Sequence, residues 1–342
     1  MTTIKQIQWN NLNMENISRK LGVCIPTYNR AKYLDRCLNS FIDNFGELKF
    51  PLYISDNAST DDTEALVNSL YQKYDNIIYN RNSENVGIYS NILKAIKMAN
   101  TEYIWLMGDD DAIIKNGIEE VVAALQNGFD YIVLNSVPYD ITLENMRAEK
   151  IIECTKEEEY PKGESYKLLV KLKKWAYHGY ISSMIIKTKM LQDLIPKYED
   201  ESFALYNNAW FPLAIFYEAI RDGSGIFLCN PIVLNRNNPR PDNTGPWNYM
   251  TINYIKAIEY LSTAGYSSHA IRRALNFGIL VTIFITVLSK SANPTQSLFN
   301  DYVKTNKIIP IHIKLLIAIV DKFPTTFLKI LNNVINKFRA EN

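Results

Sequence analysis

The chain has 342 residues, enough to bury a sizeable core, and its 47% hydrophobic and 21% charged residues are ordinary for a globular protein. A formal net charge of +1 gives no reason to expect a nucleic-acid partner. The charge is unevenly distributed, because residues 266–342 carry ten Lys or Arg and three Asp or Glu, whereas residues 1–265 carry 27 and 33. We therefore expect one large domain followed by a basic appendage with a role of its own.

Strand and helix signals alternate along the first part of the chain. Apolar runs that end in polar clusters predict strands, and apolar residues at helical spacing predict helices. The predicted strands lie at 20–29, 50–59, 76–82, 102–107 and 129–137. The predicted helices lie at 31–45, 61–74, 86–100 and 117–128. This alternation is typical of βαβ units, so the expected fold class is α/β, with a mostly parallel sheet and helices on both faces.

The later segments are less regular. Residues 138–165 are polar and acidic, which predicts an excursion on the surface. Residues 179–191 resemble a strand that turns into a helix, residues 207–223 are predicted to be helical, and residues 225–245 a strand leading into a Pro/Asn-rich loop. The signals beyond that loop are helical, with predicted helices at 247–263, 267–289, 308–321 and 324–339.

The cysteines and the apolar runs of the sequence indicate in which cellular compartment the protein is located. The cysteines Cys24, Cys37, Cys154 and Cys229 form no CxxC motif and show no paired spacing, which favours buried free thiols in a reducing compartment. The N-terminus has no basic stretch followed by an apolar core, so no secretory signal is predicted. The longest apolar run, 277–288, is shorter than the roughly 20 residues that a membrane-spanning helix needs. We expect a cytoplasmic location.

Each of the first four predicted strands runs into a polar cluster at its C-terminal end. The clusters read PTYNR, DNASTDD, RNSENVG and GDDD. Because ligands of parallel sheets bind beyond the carboxyl ends of the strands, we expect the clusters to converge on one crevice. The last cluster places Asp109, Asp110 and Asp111 side by side, and like charges this close repel unless something positive lies among them. A solvated acidic loop and a divalent-cation site are the two explanations.

Four motifs in this order and at this spacing resemble the inverting family 2 glycosyltransferases of GT-A fold. The motifs are VCIPTYNRAKYLDRCLNSF, YISDNASTDDTEAL, NVGIYSNILKAIKMAN and TEYIWLMGDDD. The GDDD form, followed by GYISSMI, is closer to the abequosyltransferase-like branch of bacterial surface-polysaccharide enzymes. The resemblance implies a GT-A (Rossmann-like) catalytic domain over 1–245, with a nucleotide-sugar half at about 20–135 and an acceptor half at about 136–245. It does not cover the helical region 246–342.

The resemblance implies that the aspartates after the fourth strand hold a divalent metal and the donor's ribose or sugar. A cation held by carboxylates neutralises the charge that develops on a departing diphosphate, and Mn²⁺ or Mg²⁺ suits such oxygen ligands. Asp109 and Asp110 are thus expected to contact the donor. Asp109 and Asp111, which would alternate along an extended backbone, are the predicted metal ligands. Gly108 stands where the family more often has its first Asp.

The same resemblance assigns further donor contacts. Asp56 would accept a hydrogen bond from the nucleotide base, although a helix cap would also explain an Asp there. Arg30 could pair with a phosphate or be a solvated cation at a helix start. Gly87 allows close approach of the backbone to the donor. The remaining predicted donor contacts are Pro26, Thr27, Tyr28, Asn29, Arg81, Asn85 and Asn91.

Inverting transfer also needs a general base that takes the proton of the acceptor hydroxyl. The family places an Asp, often as Glu-Asp, just before a helix that follows the acceptor loop, but here that position reads Asn207-Asn208. The base is therefore expected among Glu201, Asp200 and His178, with Glu201 favoured. A charged surface loop and a packed histidine are the alternatives.

Two further basic features are candidates for ligand contacts. A loop with Arg236, Asn237 and Arg240 could close over phosphates as a lid. The last predicted helix has an apolar stripe flanked by cations, which is typical of helices that lie in the headgroup region of anionic membranes. Packing of that helix in a bundle on the catalytic domain is equally compatible with the stripe. A lipid-linked acceptor would explain a membrane anchor.

The sequence thus predicts a metal-dependent, inverting glycosyltransferase that moves a sugar from a nucleotide diphosphate donor, with UDP-sugars favoured. The expected acceptor is a lipid-linked oligosaccharide or growing bacterial surface glycan, such as lipopolysaccharide or capsule, at the inner face of the cytoplasmic membrane. A homo-oligomer is compatible with the sequence. The alternatives are a non-catalytic nucleotide-sugar-binding scaffold and a sugar nucleotidyltransferase, although CIPTYNR lacks the Gly-rich phosphate loop that the latter would need.

Overall fold

The structure is a computed structural model that describes residues 20–45, 50–115, 117–140, 142, 144–172, 178–206, 208, 210–236 and 247–275. It divides into two compact units, each built from discontinuous segments. The first unit comprises Met1–Ser165, Tyr180–Tyr206 and Ile215–Asn238, and the second comprises Tyr166–Gly179, Asn207–Ala214 and Pro239–Asn342. The predicted domain boundary near residue 245 falls within 237–246, outside the described residues.

The strands of the described residues form one sheet of nine strands. In chain order they are β1 (Leu21–Thr27), β2 (Leu52–Asp56), β3 (Ile77–Arg81), β4 (Tyr103–Leu106), β5 (Ala112–Ile113), β6 (Tyr131–Tyr139), β7 (Glu158–Tyr160), β8 (Met184–Lys187) and β9 (Gly225–Arg236). Their spatial order is β3-β2-β1-β4-β8-β6-β9-β5, with β7 beside β9. Strands β1 to β4 run parallel, and β8 is antiparallel to β4 and β6, which confirms a mostly parallel α/β sheet.

Helices connect the parallel strands and cover both faces of the sheet. In the described residues they are α1 (Ala31–Phe45), α2 (Thr63–Tyr71), α3 (Ile88–Met98), α4 (Ile118–Gln126), α5 (Tyr166–Lys171), a 3₁₀ turn (Ile181–Ser183), α6 (Thr188–Gln192), α7 (Ile195–Tyr198), α8 (Phe211–Ile220) and α9 (Trp247–Thr263). Residues from α1, α2 and α4 form a buried cluster with one face of β1, β2 and β4. Helix α3 contributes nothing to that cluster and packs on β1 and β2, which places it on the opposite face.

The core of the first unit is centred on β4 and α1. Trp105 of β4 is fully buried and meets the ring of Phe41 edge to face, with centroids 5.5 Å apart. The indole N–H of Trp105 donates to the carbonyl of Ser182 at 2.8 Å, so the polar atom of this large side chain is satisfied. This packing holds β4, and therefore the acidic segment that follows it, against α1.

The second unit has an aromatic centre. Tyr254 of α9 is fully buried, and the ring of Trp210 packs against it edge to face with centroids 5.2 Å apart. Residues 268–275 form a further helix whose Ala270, Ile271 and Leu275 are buried. The helices predicted at 308–321 and 324–339, and most of the one at 267–289, lie outside the described residues.

The predicted elements that lie within the described residues are found within a few residues of their expected bounds. Strand β5 and the short helices α5 and α7 were not predicted. Two further differences concern β7 and α8. The acidic excursion 138–165 contains β7, which pairs antiparallel with β9 and which its Glu-rich composition concealed. Helix α8 begins at Phe211 rather than at 207, because the side chain of Asn208 accepts a hydrogen bond from the backbone N–H of Trp210 at 2.8 Å and caps the helix start. No helix within the described residues combines the length and apolar character needed to cross a membrane.

The expectation of four free thiols is wrong for one pair. Cys154 and Cys229 form a disulfide, with Cα atoms 5.8 Å apart, whereas Cys24 and Cys37 are free and buried as predicted. The pairing depends on tertiary structure, because the amide of Asn135 binds the carbonyls of Ile152 and Cys229 and so holds the segment before Cys154 against β9. A separation of 75 residues gave no signal of this in the sequence.

Candidate active site

The loop after β1 is fastened to the loop after β2. Asn29 adopts a left-handed backbone conformation with φ of 52°, its N–H donates to Oγ of Ser59 at 2.9 Å, and its Oδ1 accepts the N–H of Thr60 at 2.6 Å. Asn is one of the few non-glycine residues that adopts this conformation readily. Tyr28 therefore stands at the surface with 42% of its area exposed, as a stacking face for a nucleotide base requires. The predicted neighbour Pro26 is the partly buried penultimate residue of β1.

Asp56 acts as an internal anchor at the end of β2. Its Oδ1 accepts the N–H of Ser59 at 2.9 Å, its Oδ2 accepts the hydroxyl of Tyr79 at 2.6 Å, and the residue is fully buried. Arg81 lies 3.8 Å away and donates to the carbonyl of Ser59, so its side chain also holds this loop. Asp56 does not cap a helix, because α2 begins at Thr63, directly after Asp62. Its carboxylate instead holds the loop after β2, and the predicted contact with a nucleotide base stays a prediction.

Asn91 is a structural residue rather than an exposed donor contact. Its Nδ2 donates to the carbonyl of Ser55 at 2.9 Å, and its Oδ1 accepts hydrogen bonds from Oγ of Ser55 and Nδ2 of Asn82. Only 3% of its area is exposed. The amide is used within the fold to join α3 to the end of β2, and the predicted contact of Asn91 with the donor stays a prediction.

The Asn-x-Gly loop before α3 is held open by asparagines. Oδ1 of Asn85 accepts hydrogen bonds from Nδ2 of Asn57 at 2.7 Å and from the N–H of Gly87 at 2.9 Å. Gly87 has φ of 84°, and a Cβ placed there would meet no atom within 4 Å. The glycine is thus required by the backbone conformation, and it leaves room for a ligand to approach the start of α3.

Asp109 lies where the ends of β1 and β4 meet. It is 4% exposed, its Oδ2 accepts the hydroxyl of Thr27 at 2.7 Å, and its Oδ1 lies 3.0 Å from Nη1 of Arg30. Burial raises the pKa of Asp109 to about 6, in spite of the opposing effect of Arg30. The predicted proximity of Thr27, Arg30 and Asp109 is confirmed.

Asp111 is enclosed by donors of the chain itself. Its Oδ2 accepts the hydroxyls of Tyr180 at 2.8 Å and Ser182 at 2.6 Å, and its Oδ1 accepts the backbone N–H of Arg236 at 2.9 Å. Burial, together with the charge of Asp110, raises the pKa of Asp111 to about 7. No role was predicted for Tyr180 or Ser182. The GYISSMI motif, which contains both residues, is the signal in the sequence that could have identified them.

Asp110 is the most accessible of the three carboxylates and bridges two arginines. Its side chain is 25% exposed, and its Oδ2 lies 3.2 Å from Nη1 of Arg30 and 2.7 Å from Nη2 of Arg236. Arg30 is half-exposed, whereas Arg236 is buried. The other lid residues predicted with Arg236, Asn237 and Arg240, lie outside the described residues.

Gly108 is needed because the carboxylates fill the space above it. A Cβ at this position would lie 3.3 Å from Oδ1 of Asp110, from Oδ2 of Asp111 and from Oγ of Ser182. A contact this tight with three oxygen atoms would push the carboxylates apart.

The carboxylates offer oxygen ligands to a divalent cation, and one or two such ligands suffice for Mg²⁺ or Mn²⁺. Residues 109 and 110 form a turn rather than extended backbone, so Asp109 and Asp111 do not alternate onto one side as expected. Both residues are 4% exposed, and both oxygens of each accept hydrogen bonds. They differ in their partners, because Asp111 is held by neutral groups whereas Asp109 and Asp110 are paired with arginines. Within the described residues no three acidic, His or Cys side chains form a complete metal cage.

Of the three predicted general bases, two are exposed and one is buried. Asp200 is exposed and accepts hydrogen bonds from the N–H and hydroxyl of Ser202, which lower its pKa and weaken it as a base. Glu201 is exposed in the same turn. His178 is 3% exposed, and its Nδ1 lies 3.0 Å from the hydroxyl of Tyr254. Such packing favours the packed-histidine alternative, and the role of His178 as the acceptor's base stays a prediction.

We expect Asn91→Ala to lower the free energy of unfolding by about 1–3 kcal/mol, because the carbonyl of Ser55 and the amide of Asn82 lose buried partners. Urea denaturation checks this, with Asn39→Ala on the exposed face of α1 as the control. If Asn91→Ala kept wild-type stability but lost nucleotide affinity, the result would instead support the predicted contact between Asn91 and the donor.

We expect His178 to make the fold sensitive to acid. Burial lowers the pKa of His178 from 6.5 to about 4, so the unfolded chain binds more protons between these values and stability falls as the pH drops through that window. At pH 5 the loss is about 2 kcal/mol relative to pH 7. Urea midpoints at the two pH values should therefore differ less in His178→Gln than in the wild type, with His269→Gln, an exposed histidine, as the control. An unchanged difference in His178→Gln would contradict the assignment.

Comparisons with known proteins agree with this geometry. Residues 22–195, about half of the chain, match the model of the family described as Glycosyl transferase family 2. The chain is 45% identical over 101 residues to the abequosyltransferase RfbV of Salmonella typhimurium, which covers 29% of this chain and 30% of that protein. It is 28% identical over 118 residues to a GalNAc(5)-diNAcBac-PP-undecaprenol beta-1,3-glucosyltransferase of Campylobacter jejuni, covering 34% and 38%. The chain thus spans only about a third of the length of these relatives.

Solved structures show the same fold at low sequence identity. TarS 1-349 of S. aureus in complex with UDP has a TM-score of 0.61 at 16% identity, covering 94% of this chain and 92% of that one. The mannosyltransferase PcManGT of Pyrobaculum calidifontis, in complex with GDP-Man and Mn²⁺, has a TM-score of 0.53 at 11% identity, covering 88% and 84%. The sheet has the GT-A arrangement of these neighbours. With the family model matched across β1 to β8, the chain belongs to glycosyl transferase family 2.

Proposed function

We propose that the chain transfers a sugar from a nucleotide diphosphate donor to a bacterial surface glycan, with inversion at the anomeric carbon. The observation that carries the proposal is the cluster of Asp109, Asp110, Arg30 and Arg236 at the carboxyl ends of β1, β4 and β9. This cluster offers carboxylates for a cation and guanidinium groups for phosphate oxygens in one place.

The donor class is supported by what the neighbours contain. TarS has been crystallised with UDP and with UDP-GlcNAc, and PcManGT with GDP-Man. A UDP-sugar is the proposed donor. Its base would stack on Tyr28, and its phosphates would pass Gly87 and Arg30 toward the carboxylates.

Asp109 and Asp110 would hold Mn²⁺ or Mg²⁺, and that ion would act as a Lewis acid toward the diphosphate leaving group. The chain's own residues prepare the site. Thr27 fixes the orientation of Asp109 through its hydroxyl, and Arg30 balances part of the negative charge. Asp111 positions β9 through the backbone N–H of Arg236.

Glu201 is the proposed general base, because it is exposed and carries a carboxylate, whereas Asp200 is committed to a turn and His178 is buried. It would take the proton of the acceptor hydroxyl as that oxygen attacks the anomeric carbon and the bond to the diphosphate breaks. Glu201→Gln should then abolish transfer while leaving donor binding intact.

Donor hydrolysis and transfer by the full chain test the function, with UDP-, dTDP-, GDP- and CDP-sugars in the presence and absence of Mn²⁺. We expect Asp109→Asn and Asp110→Asn to lower turnover by about 100-fold or more, because they remove charge that stabilises the leaving group. Asp43→Asn, on the exposed surface of α1, is the matched control and should keep wild-type turnover.

Two outcomes would contradict the function. Nucleotide-sugar binding without turnover for any donor and acceptor would favour the scaffold alternative. Wild-type turnover in both Asp109→Asn and Asp110→Asn would remove the carboxylate cluster from the chemistry.

The proposed acceptor is lipid-linked, and the proposed location is the inner face of the cytoplasmic membrane. The Campylobacter relative is named for a glycan joined through PP to undecaprenol. The basic region 266–342 supplies the cations that an anionic surface would attract, although most of it lies outside the described residues.

We expect the full chain to co-sediment with phosphatidylglycerol vesicles and not with phosphatidylcholine vesicles. Neutralising four cations should weaken this binding by about tenfold or more, since each contributes about 1 kcal/mol near an anionic surface. The four are Lys322, Lys329, Lys337 and Arg339. The control neutralises four exposed lysines elsewhere, Lys32, Lys73, Lys162 and Lys256. Equal loss in both variants would contradict a specific membrane contact.

A further inference from the structure

Arg236 is a buried arginine whose hydrogen-bonding capacity is largely unused. It is the last residue of β9, its side chain is 3% exposed, and its guanidinium lies 3.8 Å from the ring centroid of Tyr33 on α1. Nη2 donates to Oδ2 of Asp110 at 2.7 Å. The nitrogens Nε and Nη1 are buried without a hydrogen-bond partner in the described part of the chain.

Unpaired donors on a buried cation are unfavourable, and native folds rarely keep them without a reason. Stacking on Tyr33 fixes the plane of the guanidinium, so the unused N–H groups of Nε and Nη1 point in fixed directions. Each can donate a charge-assisted hydrogen bond to a phosphate oxygen. The position of Arg236 beside Asp110 places these donors next to the carboxylates proposed to hold the cation.

Asp110 is paired with two arginines. Arg30 and Arg236 approach the same carboxylate oxygen, at 3.2 Å and 2.7 Å. A divalent cation that enters alone would meet two guanidinium charges and would have to replace them at Asp110. An arriving diphosphate would give the arginines another anion to pair with.

We propose that Arg236 couples the two ligands: it is paired with Asp110 in the free enzyme and turns to the diphosphate when the donor binds, which releases Asp110 for the cation. This inference rests on the proposed function and adds a positioning role for Arg236 to it. Each ligand then favours the binding of the other by the same factor, because coupling between two sites is reciprocal. Neither the divalent ion alone nor the nucleotide alone binds tightly.

The test measures binding by the full chain, without any turnover. The wild type is first titrated with UDP, dTDP, GDP and CDP to find the nucleotide that it binds most tightly. Isothermal titration calorimetry then gives the affinity for Mn²⁺ alone, and the affinity for that nucleotide with and without Mn²⁺. In Arg236→Gln we expect Mn²⁺ alone to bind about tenfold more tightly and the nucleotide alone about tenfold more weakly. The enhancement of nucleotide binding by Mn²⁺ should fall by at least about fivefold.

Arg147→Gln is the matched control. Arg147 is exposed, and its loss changes the net charge by the same amount without touching the carboxylates, so wild-type affinities and coupling are expected. Complexes between Mn²⁺ and the nucleotide in solution affect all variants equally. Comparison among variants therefore isolates the contribution of Arg236.

The outcomes separate this inference from the function beneath it. A wild type that binds none of the nucleotides contradicts the proposed function and the inference together. Nucleotide binding in the wild type with unchanged Mn²⁺ affinity or unchanged coupling in Arg236→Gln overturns the inference alone. Should Arg236→Gln fail to fold by circular dichroism, Arg236→Lys decides. It keeps the charge beside Asp110 but loses the planar guanidinium and its additional N–H donors, so we expect wild-type Mn²⁺ affinity, weakened nucleotide binding and reduced coupling. Unchanged coupling overturns the proposal.

Discussion

The site depends on the balance between three adjacent carboxylates and two guanidinium groups at the end of β4. Repulsion within Asp109, Asp110 and Asp111 would open this turn if nothing opposed it. Arg30 and Arg236 oppose it at Asp110, and the hydroxyls of the chain stabilise the other two. Burial of Asp109 acts against this balance, since it disfavours the charged carboxylate and raises its pKa to about 6. The turn thus depends on the two arginines and the hydroxyl donors together.

The fold was largely predictable from the sequence because its signals are local. Strand–helix alternation and caps gave the parallel half, and the polar ends of β1 to β4 gave the crevice. What the pattern could not give was any pairing between distant segments. The antiparallel insertion of β8 between β4 and β6, the position of β7 and the Cys154–Cys229 disulfide all depend on segments far apart in the chain.

The site was predictable in its membership but less so in the roles of its members. Alternation along extended backbone selected Asp109 and Asp111 as a pair, yet the chain turns at these residues and buries Asp111 among Tyr180, Ser182 and the N–H of Arg236. Asn91 shows the same limit, since its type fits a ligand contact and a buried bridge equally well. A ligand contact and a buried bridge differ in how many hydrogen-bond partners the fold supplies to the side chain. Those partners come from segments that are distant in the sequence.

The three aspartates therefore differ in how completely the protein satisfies the hydrogen-bonding capacity of each carboxylate. Asp111 is saturated by short hydrogen bonds and ties β9 to the end of β4, so its loss would disturb the position of Arg236 before it disturbed any ligand. Asp109 is held from one side by Thr27 and from the other by an arginine that is half in solvent. Among the described residues the partners of Asp110 are the two arginines, and its side chain is the most exposed of the three. These charged pairs can be exchanged for a cation or an anion more readily than the hydrogen bonds that surround Asp111. The residue with the least structural commitment is thus the one best placed to respond to the donor.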